Sequence, residues 1–143
     1  MPETMQSESE LPERLPSAER PCIVVGYSPR PEGRAALERA LTEARLRSAA
    51  LIVVNTSPDA EAAGLADQLA ASGLQYEIQT AADAQGSAEE LLRIAETAGA
   101  DFIVIGLRRR SPVGKLLLGS NAQRVLLDAA CPVLAVKAEP DGS

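Results

Sequence analysis

The stretch that decides the fold is residues 100–137, which read ADFIVIGLRRRSPVGKLLLGSNAQRVLLDAACPVLAVK. Its two short apolar runs predict buried strands from Asp101 to Ile105 and from Val133 to Val136. Between them, a loop rich in glycine and arginine from Gly106 to Gly119 leads into a helical pattern that begins at Ser120. A strand, a helix and a second strand in this order predict a parallel βαβ unit.

The same alternation extends back toward the N-terminus. Further strands are predicted at 22–27, 51–54 and 74–79, with helical spacing of apolar residues between them. Four of the five strands are near-continuous apolar runs, which is typical of strands covered on both faces. The third strand alternates polar and apolar residues, which is typical of a sheet edge. The order βαβαβαβαβ therefore predicts an α/β fold with a doubly wound parallel sheet.

Two helix starts carry a recognisable pattern. Ser87 is followed three residues later by Glu90, and Ser120 is followed three residues later by Gln123. A serine and a glutamate or glutamine at this spacing form a capping box, in which each side chain bonds a backbone amide of the first turn. We therefore expect Ser87 and Ser120 to cap the third and fourth helices.

The length and charge of the chain limit the possible number of domains and the possible partners. The 143 residues suffice for one domain, predicted at 21–138 between a flexible N-terminal tail, 1–20, and a short C-terminal tail, 139–143. The net charge of −6 argues against nucleic acid as a partner. No apolar run is long enough to span a bilayer, and the N-terminus lacks the apolar core of a signal peptide. The expected compartment is the cytoplasm.

The residue types exclude several kinds of catalytic site. The chain has no histidine, which excludes a Ser-His-Asp or Cys-His nucleophile. Its two cysteines, Cys22 and Cys131, are too few for a zinc site, and we expect both to be buried free thiols. We therefore expect no metal and no enzymatic turnover.

Parallel α/β sheets bind ligands beyond the carboxyl ends of their strands. The segments predicted there are Ser28–Gly33, Asn55–Pro58 and the loop from Gly106 to Gly119. The end of the first predicted strand, 25–28, lacks the second glycine of a Rossmann fingerprint. The loop is not a Walker A motif, because Leu116 stands in place of its serine or threonine and Arg109 in place of its first glycine. It does offer arginines followed by a helix N-terminus at Gly119, Ser120 and Asn121, which together favour an anion. The alternative is a solvated arginine loop, with Ser120 acting only as a helix cap.

Residues 100–137 resemble the C-terminal signature of universal stress proteins. Val24-Val25-Gly26 and Arg34-Ala35-Ala36-Leu37 are similar to the first strand and helix of that family, so the resemblance covers about 21–137. It implies a Rossmann-like three-layer sandwich with a five-stranded parallel sheet in the order 3-2-1-4-5. One branch of the family binds ATP through the pattern G-x2-G-x9-G-[ST]. Gly106, Gly119 and Ser120 match that pattern, with Asn121 next in the predicted phosphate site.

The resemblance breaks at two positions. Arg109 stands where the family has its second glycine, and Ser28 stands where it has a nucleotide-binding aspartate. Thr56 falls where the family contacts adenine through backbone groups. Arginine forks bind phosphate well, so we expect Arg109 or Arg110 to lie near the phosphates of any bound adenine nucleotide. The alternative function is a dimeric universal stress protein that no longer binds nucleotide and acts through protein contacts.

The implied strand order leaves the last predicted strand at an edge of the sheet. Val133 to Val136 is apolar throughout, and an uncovered apolar edge promotes aggregation of a monomer. We therefore predict a homodimer through antiparallel pairing of this strand, as the resemblance also implies. The alternative is that the C-terminal tail or the segment 116–118 covers this edge.

Overall fold

The computed structural model describes residues 21–57, 63–83, 85–109 and 116–138. The two predicted tails and Arg110 lie outside these residues, so their predicted roles stay predictions. The elements in chain order are β1 Cys22–Tyr27, α1 Pro31–Arg47, β2 Ala50–Asn55, α2 Ala63–Ser72, β3 Tyr76–Thr80, α3 Ser87–Ala98, β4 Phe102–Arg109, β5 Leu116–Leu117, α4 Ser120–Asp128 and β6 Val133–Lys137.

Five of the strands form a parallel sheet in the order β3-β2-β1-β4-β6. Since β6 is the fifth strand predicted from the sequence, the predicted order 3-2-1-4-5 is confirmed. Val24 of β1 lies opposite Ile52 of β2 on one side and Ile103 of β4 on the other. The predicted edge strand, β3, is bonded to β2 alone among the described strands.

Apolar side chains cover the sheet on both faces, which confirms the three-layer arrangement. Ile23 and Val25 face a cluster with α1 and α2, while Val24 faces a second cluster with α3 and α4. Successive residues of a strand point to opposite faces, so the unbroken apolar run of β1 supplies both layers. Within the described residues, no helix is both long and apolar enough to cross a membrane.

The predicted loop from Gly106 to Gly119 is wrong at its start and contains a short strand, whereas α4 begins at Ser120 as predicted. Strand β4 continues through Arg109, and its last two residues pair antiparallel with β5. The strand can continue because Gly106 has no side chain: a Cβ there would lie 1.9 Å from the carbonyl oxygen of Glu32 in α1. The glycine that suggested a turn instead allows β4 to pass directly beneath α1.

Both predicted capping boxes are wrong. The N-cap residues are Gly86 and Gly119, and neither α3 nor α4 has a side-chain cap. Ser87 and Ser120 are the first helical residues. The Glu90 carboxylate accepts a hydrogen bond from the Ala82 amide at 3.4 Å, so it binds the segment before α3 and not the N-cap residue. A serine at the start of a helical pattern cannot by itself distinguish the cap from the first helical residue, because both positions favour small polar side chains.

The two cysteines are free, and they differ in exposure. Cys22 is buried, as predicted, whereas Cys131 is only partly buried. Desolvation, followed by the negative charges of Asp101 and Glu77, raises the pKa of the Cys22 thiol to about 11. Desolvation also raises the pKa of Cys131. Both thiols are therefore protonated at neutral pH.

We expect Cys131 to react with a maleimide before Cys22 does. The thiolate is the reactive form, and Cys22 combines a raised pKa with a side chain hidden from solvent. Peptide mass spectrometry after timed labelling of the native protein measures both rates, and labelling in urea provides the control for complete reaction. Equal labelling of the two cysteines in the native protein would contradict the burial of Cys22.

Candidate functional site

A cavity of about 390 Å³ opens beyond the carboxyl ends of β1 and β4. This is the point where the strand order reverses, because α1 leads from β1 to one side of the sheet and α3 leads into β4 on the other. Cavities of roughly 300–1,000 Å³ are usual for small-molecule sites. Residues of β1, α1, α3, β4 and α4 meet there with residues of the segments that follow β1 and β2.

The floor of the cavity is apolar and is kept open by a glycine. A Cβ at Gly26 would lie 3.0 Å from Leu91 Cδ1, 3.9 Å from Thr56 Cγ2 and 4.0 Å from Ile105 Cγ2. A larger residue at the end of β1 would therefore fill the space between β1, α3 and β4. Leu91 and Ile105 also belong to the hydrophobic cluster beneath. The floor can accept a flat apolar group such as a heterocyclic ring.

The turn after β1 is tightly built around Ser28. This serine is buried, and its hydroxyl oxygen accepts a bond from the Arg30 amide at 3.4 Å. A Cβ at Gly33 would lie 2.3 Å from both the amide nitrogen and the hydroxyl oxygen of Ser28. Gly33 thus lets the first turn of α1 pack onto the turn, and it holds Ser28 at the cavity wall.

Thr56 joins the ends of β1 and β2. Its amide and its hydroxyl both donate to the carbonyl oxygen of Tyr27, at 2.8 and 3.0 Å. Next to it, the Ser57 amide donates to the Asn55 side-chain oxygen at 3.1 Å. The side chain and the amide of Thr56 therefore both stabilise the wall of the cavity, so the predicted backbone contact with a ligand would have to use the Thr56 carbonyl group.

Helix α4 begins at the cavity. Gly119 is its N-cap with extended backbone, and its carbonyl accepts a bond from the Gln123 amide at 3.0 Å. Gly119, Ser120 and Asn121 all line the cavity. Because the amides of a first helical turn point out of the helix N-terminus, this wall carries partial positive charge.

Among the residues that the structure describes, three ionic side chains complete the lining. Arg30 follows β1, Glu32 lies in the first turn of α1, and Arg108 lies near the end of β4. The Nε of Arg108 is 3.9 Å from Oε2 of Glu32. The cavity therefore has an apolar floor, a wall of hydroxyl and amide groups, and both signs of charge.

Six of the eight predicted site residues line this one cavity: Ser28, Thr56, Gly106, Gly119, Ser120 and Asn121. Arg109 lies in β4, but the structure describes only its backbone, and Arg110 lies outside the described residues. That these residues bind a ligand stays a prediction. Sequence reasoning did not select the remaining polar or charged lining residues: Arg30, Glu32, Ser57, Ser87 and Arg108. Arg30 and Glu32 fall inside the segment 28–33 that it had placed at the site.

The fold and the cavity together define a Rossmann-like α/β domain with an open crevice at its switch point. The sequence model of the universal stress protein family matches residues 85–137. A universal stress protein from Mycolicibacterium smegmatis is 45% identical over 126 residues, which cover 80% of this chain and 96% of that protein. The chain belongs to the universal stress protein family.

Solved structures show the same fold. A universal stress protein from Archaeoglobus fulgidus in complex with dAMP is similar with a TM-score of 0.57 and 23% identity, covering 82% of this chain and 98% of that one. A universal stress protein in complex with cAMP is similar with a TM-score of 0.61 and 22% identity, covering 84% of this chain and 98% of that one. At these identities the similarity establishes the fold alone.

Proposed function

We propose that this protein binds an adenine nucleotide in the cavity at the carboxyl ends of β1 and β4. The observation that carries the proposal is the convergence of Ser28, Thr56, Gly106 and the N-terminus of α4 on that one cavity. The apolar floor around Gly26 suits a purine ring. The wall at Gly119–Asn121 suits phosphate, because first-turn amides and the helix dipole favour an anion.

Relatives support this choice of ligand. Structures of the same fold hold dAMP in one case and cAMP in another. Both molecules combine an adenine base with one phosphate, which matches a cavity that is apolar at its floor and polar at its wall. Among adenine nucleotides, ATP is the ligand that the family resemblance of the loop implies, although Arg109 replaces one glycine of the pattern.

One observation favours the alternative, a family member that no longer binds nucleotide and acts through protein contacts. The Ser28 hydroxyl, at the position of the family's aspartate, already accepts a bond from the Arg30 amide. A hydroxyl engaged in its own turn replaces a ribose-binding carboxylate poorly. Titration of the protein with adenine nucleotides distinguishes the two functions.

The proposal is for binding without catalysis. The chain has no histidine to act as a base. Cys22 opens β1 at the end of the strand opposite the cavity, and its raised pKa keeps the thiol protonated. The two free cysteines also fit a reducing compartment, and we propose the cytoplasm.

Calorimetric titration tests the proposal directly. We expect saturable binding, one nucleotide per chain, for at least one of ATP, ADP, AMP and cyclic AMP, in buffers with and without Mg²⁺. Protein purified without added nucleotide should be examined for absorbance of the adenine band, since the chain has no tryptophan and only two tyrosines. If none of the four nucleotides binds at high micromolar protein, the proposal is wrong and the alternative function is favoured.

We also propose a homodimer through antiparallel pairing of β6. Among the described strands, β6 pairs with β4 alone. The Ile103 amide donates to the Pro132 carbonyl, and the Ala138 amide donates to the Leu107 carbonyl. Because bonding alternates along a parallel pair, the backbone groups of Val133, Ala135 and Lys137 face away from β4. A second copy of the strand can bond to them.

A further inference from the structure

Two opposite charges meet inside the cavity. Glu32 and Arg108 both line it, with 3.9 Å between Oε2 of the glutamate and Nε of the arginine. The glutamate side chain is 18% exposed and the arginine side chain is 39% exposed. Within the described ranges, the contact with Glu32 is the one ion pair of the Arg108 guanidinium. Since 3.9 Å is too long for a hydrogen bond, the pair is loose and the arginine keeps its donors.

The positions of the two side chains follow from the close contact of α1 with β4. The Glu32 carbonyl oxygen lies 1.9 Å, and its Cβ 3.1 Å, from the place of a Cβ on Gly106. Arg108 is two residues further along the same strand, so it lies on the same face as Gly106. Ile105 and Leu107 pack on the other face, in the cluster with α3 and α4. The backbone of Glu32 is therefore held close to β4, which keeps its carboxylate within reach of Arg108.

A ligand phosphate that reaches Arg108 must therefore come close to the Glu32 carboxylate. Arginine binds phosphate through paired N–H donors, which favours the contact. The carboxylate opposes it, both by holding the guanidinium and by repelling the phosphate charge, and the repulsion grows with each added negative charge. Arg30 is the one other cation among the described lining residues. Among the described lining residues, two arginines and one glutamate give a net charge of one, which suits a single phosphate better than three.

We propose that Glu32 and Arg108 together set which nucleotide the cavity accepts, with Arg108 binding the phosphate and Glu32 competing for Arg108. The inference rests on the proposed function and deepens it: the preferred ligand is an adenine nucleotide with a single phosphate, such as AMP, and ATP binds more weakly. Glu32 and Arg108 are specificity-determining residues, and the adenosine part of the ligand binds independently of both.

The test is the affinity of adenosine, AMP and ATP for the wild type, Glu32→Gln, Arg108→Gln and the double variant. Glu32→Gln should tighten ATP binding by roughly three- to tenfold, tighten AMP binding less, and leave adenosine unchanged. Arg108→Gln should weaken both nucleotides by roughly fivefold or more, again with adenosine unchanged. In the double variant the gain from Glu32→Gln should shrink, because the arginine for which Glu32 competes is gone.

Matched controls remove the same charges elsewhere. Glu38→Gln changes an exposed residue of α1, and Arg45→Gln changes an exposed residue in its last turn; neither lines the cavity. Both should leave the ratio of AMP to ATP affinity as in the wild type. Thermal melts verify folding, and Glu32→Ser replaces Glu32→Gln if the latter melts early.

The outcomes separate the inference from the proposed function. If nucleotides bind but Glu32→Gln leaves the AMP-to-ATP ratio unchanged or shifts it toward AMP, the inference is wrong and the proposed function stands. If adenosine, AMP and ATP all fail to bind to the wild type and to each variant, the proposed function fails and the inference fails with it.

Discussion

Gly106→Ala should lower the free energy of unfolding by about 2–4 kcal/mol, the cost of forcing a methyl group into a closed contact. The added Cβ would lie 1.9 Å from the carbonyl oxygen and 2.6 Å from the carbonyl carbon of Glu32. Both are backbone atoms, so no side-chain rotation can relieve the overlap. The first turn of α1 must move away from β4, and it takes one wall of the cavity with it. Urea denaturation of the wild type and the variant measures the loss.

Gly119→Ala is the matched control, because Gly119 is the other glycine of this chain that matches the pattern G-x2-G-x9-G-[ST]. A Cβ there would meet nothing within 4 Å, and its φ of −69° suits any residue. The expected cost is less than about 1 kcal/mol, from replacing a glycine at an N-cap. Equal stability of Gly106→Ala and the wild type would show that α1 and β4 are further apart than in this structure.

Ala135→Pro should convert the proposed homodimer to a monomer while the fold is retained. Ala135 is exposed, and its amide faces away from β4. Proline there removes a donor from the free edge but none from the sheet, and proline is tolerated at such edge positions. The variant is cleaner than a charge at Leu134 or Val136, because both of those side chains pack against the hydrophobic cluster beneath α1.

Ala135→Val is the control, since it keeps the amide and adds a residue that favours strands. Sedimentation or light scattering should show a dimer for the wild type and Ala135→Val, and a monomer for Ala135→Pro with unchanged circular dichroism. A wild type that is already monomeric at high micromolar concentration would defeat the dimer proposal. A dimer that survives Ala135→Pro would place the interface elsewhere.

The sequence predicts the sheet well because a strand that is buried on both faces appears in the sequence as an unbroken apolar run. An unbroken apolar run such as Leu51–Val54 predicts a strand covered on both faces, and both clusters confirm it. The alternating third strand likewise predicts an edge, and β3 occupies one. The order of the strands came from the family resemblance, because local patterns do not determine which strands are neighbours.

The ends of elements were harder to predict, because they depend on contacts distant in sequence. Gly106 suggests a turn locally, yet its role is to accommodate Glu32 of α1. The extension of β4 to Arg109 depends on pairing with β5, which an arginine-rich segment does not suggest. Each predicted capping box requires the serine to be the N-cap. In the structure the N-cap is the glycine one residue earlier, Gly86 in α3 and Gly119 in α4.

In the candidate site, too, some residues have a local sequence signal and others depend on tertiary contacts. A helix start has a local signal, so Gly119 and Ser120 could be selected from the sequence pattern, whereas Gly106 was selected through the family resemblance. The Glu32–Arg108 pair joins two elements through a tertiary contact and has no local pattern. The selection of Arg108 as a site residue also requires knowing that β4 extends to Arg109. From the sequence alone, the three arginines of the loop cannot be distinguished.

A crystal structure of the protein grown with AMP shows directly whether the cavity binds an adenine nucleotide. We expect the adenine ring over the floor at Gly26, and the phosphate at the amides of Gly119–Asn121 within reach of the Arg108 guanidinium. Native crystals grown without nucleotide provide the difference map. Phosphate density elsewhere on the molecule, or an AMP bound with its phosphate at Gly26, would contradict the account.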